Sequence, residues 1–241
     1  MEVRDGFVVG IFNYCDSWCE RCAFTSHCGL FAHRAELEAQ LDPHHAAIVS
    51  APPLPHEVEP PPPRWMQELI DEMNEAARHP PSEEELERLV PRVPPEQKPV
   101  MERAEQYMVR THRWLLAHEG HATDDACEVI AWFHTLIGAK INRALAVCSD
   151  DLDDEFRGSD ADGSAKVALI GIDRSQAAWL DLVDRGIVPV DEAQPFVSDL
   201  VWLVEALEGL RPKARRFIRP GFDEPDALAK LHGNLPPRKG A

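Results

Sequence analysis

The stretch Thr123-Asp124-Asp125-Ala126-Cys127-Glu128-Val129-Ile130-Ala131-Trp132-Phe133-His134-Thr135-Leu136-Ile137-Gly138-Ala139-Lys140-Ile141-Asn142-Arg143-Ala144 decides the fold class. It opens on a capping residue and an acidic first turn, where oxygens accept orphan N–H groups and negative charge meets the positive end of the helix dipole. Apolar residues then recur at helical spacing, and no proline interrupts the run, which predicts a helix to about Cys148. Three segments of the same kind surround it. One runs from Glu96 to His118, with Pro99 in its first turn and Gly120 as its stop. Another runs from Gly163 to Gly186, after an acidic loop from Ser149 to Asp162. The last runs from Asp191 to Gly209, with Pro195 in its first turn. Four segments of roughly 20 residues with mostly short connections predict a mainly α fold, an antiparallel four-helix bundle over residues 96–210.

The flanking regions read differently. Residues 1–30 form a four-cysteine metal-binding element, opened by the strand-like run Phe7 to Phe12. Residues 31–95 are a proline-rich connector with short helices. The first lies near Leu30 to Leu41, and an extended spacer follows over residues 50–63, which hold seven prolines. An amphipathic helix spans Trp65 to Arg78, with Trp65, Leu69 and Met73 on one stripe. A capping box at Ser82 to Glu85 starts a short helix to Val90. Residues 211–241 make a tail that is basic from Arg211 to Arg219 and then rich in proline and glycine.

The net charge of −17 repels phosphate backbones and anionic membranes, so no nucleic-acid and no membrane partner is expected. No run approaches the ~18 apolar residues of a membrane helix, and the start Met1-Glu2-Val3-Arg4-Asp5 lacks the basic opening of a secretory signal. The expected location is the cytoplasm. In that reducing compartment clustered cysteines point to metal rather than to disulfides.

Four of the six cysteines fall within Cys15 to Cys28, spaced Cys-x3-Cys-x2-Cys-x5-Cys. Cys15, Cys19, Cys22 and Cys28 are the candidate ligands. Four soft thiolates in one short loop suit a tetrahedral zinc ion or an iron–sulfur cluster, and suit Mg²⁺ and Ca²⁺ poorly. The single continuous run is closer to the ligand runs of small ferredoxins than to two distant zinc knuckles, and Phe12, Trp18 and Phe24 are placed to shield a cluster from water. His27 is the alternative to Cys28. Cys127 and Cys148 share one predicted helix at a separation of roughly 31 Å, too far to pair, and are read as core residues.

The first three cysteines match Cys-x3-Cys-x2-Cys, which resembles the cluster loop of radical S-adenosylmethionine enzymes. That family has an aromatic residue before the third cysteine where this chain has Arg21, and a Gly-Gly-Glu type motif that is missing here. Asn13-Tyr14-Cys15-Asp16, Trp18-Cys19-Glu20-Arg21-Cys22 and Phe24-Thr25, with Gly163 to Ala168 and Ile172 to Ser175, resemble an uncharacterised bacterial protein family with an N-terminal cysteine cluster and a helical body. That resemblance implies no activity.

Charges interrupt the helical stripes. On the third segment Lys166, Ile170, Asp173, Ala177 and Leu180 share a stripe, and Asp173 and Arg174 break a strongly apolar run. On the second, Lys140 follows Phe133 and Ile137. Charges in a core are paired, so Asp173 is expected to meet Lys140 or Arg143. The alternative is a polar pocket built from Lys140, Arg143, Lys166, Asp173 and Arg174 that takes a small anionic ligand. His112, His118, His121 and His134, with Glu119 and Glu128, are candidates for a second metal, although no Glu-x2-His pair of the di-iron kind occurs. Gly-rich phosphate loops, nucleophile elbows and zinc-protease motifs are missing as well. The expected function is a metal-binding protein, iron–sulfur or zinc, acting as a regulatory or redox-linked binding protein for an unknown protein or a small anion. The alternative is a cluster-containing oxidoreductase with its small-molecule site in the bundle.

Overall fold

The computed structural model describes residues 1–50, 64–78, 80, 82, 94–146 and 154–233. The chain is mainly helical. A two-stranded antiparallel hairpin, β1 (Val3–Arg4) and β2 (Phe7–Val8), is followed by α1 (Gly29–Ser50), α2 (Arg64–Arg78), α3 (Lys98–Ala117), α4 (Asp125–Leu145), α5 (Asp154–Asp184), α6 (Val190–Leu210) and α7 (Ala227–Gly233). Met1–Phe31 and Arg92–Ala241 form one compact unit; Ala32–Pro91 forms another. Within the second, Leu69 and Met73 of the α2 stripe are exposed. No helix among the described residues is long and apolar enough to cross a membrane.

In the first unit α3 packs against α4 and α6, and α5 packs against α4 and α6. The helices form where caps and periodicity agree. Asp124 caps α4 by accepting the Ala126 N–H at 2.9 Å, and Arg185 grips its carboxylate from the end of α5. That grip, opposed by some burial, holds the Asp124 pKa down at about 2. One face of α4 is entirely buried at Ile130, Phe133, Ile137 and Ile141. The facing side of α5 is small, and at Gly171 an added Cβ would lie 3.0 Å from Phe133 and 3.1 Å from Ile137. Close approach of two helices needs such gaps, since protein interiors leave little void. At the other end, buried Trp179 of α5 stacks on Phe196 of α6 at 4.3 Å and meets Trp114 of α3 edge-on at 4.7 Å. Asp199 of α6, itself buried, accepts Arg103 at 2.8 Å and Arg110 at 2.9 Å from α3, which satisfies a charge that alone would be costly.

Several sequence expectations change. Of the acidic loop expected over 149–162, residues 154–162 are helical and open α5. Gly163 is therefore inside a helix rather than at its start. The strand-like run Phe7 to Phe12 is strand only at Phe7–Val8; Gly10 takes φ 72° and Ile11–Tyr14 is a 3-10 turn. The helix expected at Leu30 to Leu41 continues to Ser50. The proline spacer at 51–63, the short helix at 83–90, Cys148 and the end of the tail from residue 234 lie outside the described residues.

Candidate metal centre

The cysteine segment has almost no regular structure, and side-chain contacts to the helices hold it in place. Asp16 makes two of them and a third contact within its own segment. Its Oδ1 accepts the Trp18 N–H at 3.2 Å, its Oδ2 accepts Arg174 of α5 at 2.7 Å, and its carbonyl accepts the Trp132 indole of α4 at 2.8 Å. Ser17 takes the left-handed conformation, φ 58°, which turns the chain so that Trp18 stacks on Trp132 at 5.0 Å. That conformation costs a non-glycine residue about 1–2 kcal/mol, so the surrounding contacts must hold it. Arg21 lies over the Trp18 ring at 4.2 Å and pairs with Glu128 of α4. Lys140 donates to the Asn13 carbonyl at 3.1 Å. Tyr14 lies against Phe217 and reaches Asp160, packing where Gly163 leaves space. A second small core joins Val8, Ile11 and Phe24 to Ala227 and Leu231 of α7. Gly221, at φ 78°, passes so near that an added Cβ would sit 3.1 Å from Ile11.

All four cysteines are unpaired, half-buried, and line one cavity. Phe12, Trp18 and Phe24 share its wall, as the sequence suggested, joined by Phe222 from the tail. Burial raises the Cys19 thiol pKa, and the neighbouring Cys15, Cys22 and Cys28 raise it further. Burial also raises Cys22, against the Phe24 N–H, which donates to its sulfur at 3.4 Å. The Cys15 thiol points to the Phe12 carbonyl at 3.3 Å. Burial lowers Lys140, and Cys15 within electrostatic reach opposes that shift. Among the described residues no three His, Cys, Asp or Glu side chains converge on one point as ligands of a single ion. The cavity is small, about 20 Å³, room for about one water, and Phe12 and Phe31 stand exposed among its lining residues. The donor set suits a thiophilic metal, and seating one requires the sulfurs to move.

His27 is buried with its Nδ1 3.2 Å from the Gly6 carbonyl, tied to the hairpin rather than to the cysteine cavity. Cys127 is a buried core residue. His112 stacks on His134 at 5.7 Å and His118 lies 3.4 Å from Glu192, with no metal-ligating group among the described residues.

The five charges expected inside the helical core each turn to a partner of their own. Asp173 and Arg174 are exposed, because their face of α5 looks outward to the tail and the cysteine segment. Asp173 pairs with Arg215, not with Lys140 or Arg143. Arg143 forks onto Asp160 at 2.7 and 3.0 Å. Lys166 pairs with Asp223 at 2.7 Å and donates to the Phe217 carbonyl. The basic stretch of the tail thus docks on its own chain. Sequence reasoning missed Asp16, Trp132, Arg219 and Phe222, which hold or wall the site. Asp16 and Trp132 each carried a signal, a polar residue beside a ligand cysteine and a tryptophan off the buried stripe.

Compared with family models, curated proteins and solved structures, the chain has no match.

Proposed function

We propose that Cys15, Cys19, Cys22 and Cys28 together hold an iron–sulfur cluster, and that the chain is a redox-linked binding protein in which this cysteine element rides on a four-helix bundle. The observation that carries the reading is that four thiols from one continuous loop line one cavity walled by aromatic side chains. Four ligands in one continuous run are the pattern of small ferredoxins, whereas structural zinc sites commonly join two separated knuckles. When bound, the cluster supplies one-electron chemistry. The chain itself contributes the Phe24 N–H to the Cys22 sulfur, the Lys140 charge near Cys15, and Phe12, Trp18 and Phe24 against water.

Zinc is the second reading, and the small volume of the cavity favours it, because one ion needs the least room. Full-length protein purified without oxygen separates the two. The expected result is brown protein with iron and sulfide in equal amounts, about two or four of each per chain. Cys19→Ser should lose the metal and the colour. Colourless protein with one zinc per chain overturns the iron–sulfur reading, and metal-free protein with four reactive thiols overturns both.

A further inference from the structure

A second cavity of about 420 Å³ adjoins the cysteine cavity, with Cys22 in the wall of each. Its size falls within the roughly 300–1,000 Å³ of small-molecule pockets. Its charge is opposite to that of the chain. Arg21, Arg174 and Arg219 line it against one carboxylate, Asp16, in a protein of net charge −17. Glu128 and Asp223, which pair with Arg21 and Arg219, do not line it.

We propose that this cavity binds a small organic oxyanion, a carboxylate or phosphate joined to an apolar body, with Arg174 and Arg219 as its principal anchors. Each guanidinium has five N–H donors, so those already engaged leave others for a ligand. Arg174 uses Nη1 for Asp16, and Arg219 uses Nε and Nη2 for Asp223. The planar fork of arginine matches both carboxylate and phosphate oxygens. Two rings brace the anchors from behind: Arg174 lies 5.4 Å from the centre of Phe133, and Arg219 lies 5.0 Å from the centre of Phe222. The same two rings, with Val129, supply the apolar wall. The site goes beyond the metal reading and does not depend on which metal the cysteines hold. It is a different place from the anion pocket expected at Lys140, Arg143 and Lys166.

The test is calorimetric titration of full-length, as-purified protein with phenyl phosphate, benzoate, inorganic phosphate and benzyl alcohol. Phenyl phosphate or benzoate should bind one per chain, the stronger of the two identifying the oxyanion, and benzyl alcohol should not bind. Arg174→Gln and Arg219→Gln should each weaken that binding about tenfold, the scale of one lost charge-assisted hydrogen bond. Lys166 still pairs with Asp223 when Arg219 is replaced, so that variant keeps its fold. Arg113→Gln, an exposed arginine outside the cavity, should bind as wild type. Metal content measured on each sample separates loss of the pocket from loss of the cysteine element. The proposal fails if neither organic anion binds at about 10 mM, where any site with a Kd below about 1 mM would fill. It also fails if both cavity variants bind as wild type, or if Arg113→Gln weakens binding as much as they do.

Discussion

The four packed helices and the cysteine segment are built on opposite principles. In α3 to α6 the chain satisfies its own backbone, and burial of Ile130, Phe133, Trp179 and Leu200 does the rest. From Val9 to Cys28 the longest regular element is a 3-10 turn of four residues, and position is set by partners far along the chain: Asp16 by Arg174, Trp18 by Trp132, Tyr14 by Phe217. A helix needs little from elsewhere to keep its shape, whereas a loop of thiols keeps its shape only while the surface beneath it does. The cysteine segment is therefore coupled to the helices through a few side chains.

The largest expected effect sits in the helical core. Trp179→Ala removes a fully buried ring that touches both Trp114 and Phe196, joining three helices. Deleting such a ring typically costs about 3–5 kcal/mol. The melting temperature should fall by roughly 10 °C for a unit of this size. Cysteine segment and helices should be lost together in one transition. Loss of the segment at a lower temperature than the helices would show that the two melt apart.

A pair of glycines on α5 sharpens the contrast. At Gly163 an added Cβ would fall 2.4 Å from Cε1 of Tyr14 and 2.9 Å from Phe217, inside the ring contacts that seat the cysteine segment. At Gly158 it would meet nothing within 4 Å. Alanine in an open helical position gains about 1 kcal/mol over glycine, whereas forcing a methyl into a packed contact costs about 1–3 kcal/mol. Gly158→Ala should raise the melting temperature and Gly163→Ala should lower it. Limited proteolysis should cut the Gly163→Ala variant within residues 1–28 while circular dichroism stays helical. Equal stability of the two variants would mean that Tyr14 does not hold the segment there.

The same contrast explains what the sequence made legible. Helix type, the Asp124 cap and the inward face of α4 follow from local rules, because periodicity and capping act within a few residues. The cysteine cluster is legible for a different reason: four thiols in one short loop stand out at any geometry, and the fold brings all four to one cavity. Which helix face points outward is not local. Asp173 lies on a helix whose neighbouring positions are apolar, and the sequence gives no sign that a tail more than 40 residues later would lie across that face. The arginine-lined cavity was illegible for the same reason, since Arg21, Arg174 and Arg219 come together only after three long-range dockings are made.

The smallest expected effect is at Asp173, which a buried reading would make one of the largest. Its side chain is 47% exposed, and its partner Arg215 is 40% exposed. Arg215 forks onto it and also reaches Glu208 at 2.7 Å. Donating to Asp173 raises the Arg215 pKa first of all, against burial, with Glu208 adding to it. Solvent screens such a pair, and exposed ion pairs contribute at most about 1 kcal/mol. Asp173→Asn leaves Arg215 paired with Glu208 and removes one negative charge from a chain that has an excess of them. It should therefore lower stability by no more than about 1 kcal/mol, and moderate salt should shrink the difference further, because the Debye length falls from about 10 Å at 0.1 M to about 3 Å at 1 M. Denaturant melts at low and high salt check both statements. A loss of about 3–5 kcal/mol that persists in salt is the mark of a buried charge left without its partner, and it would return Asp173 to the interior of the helices.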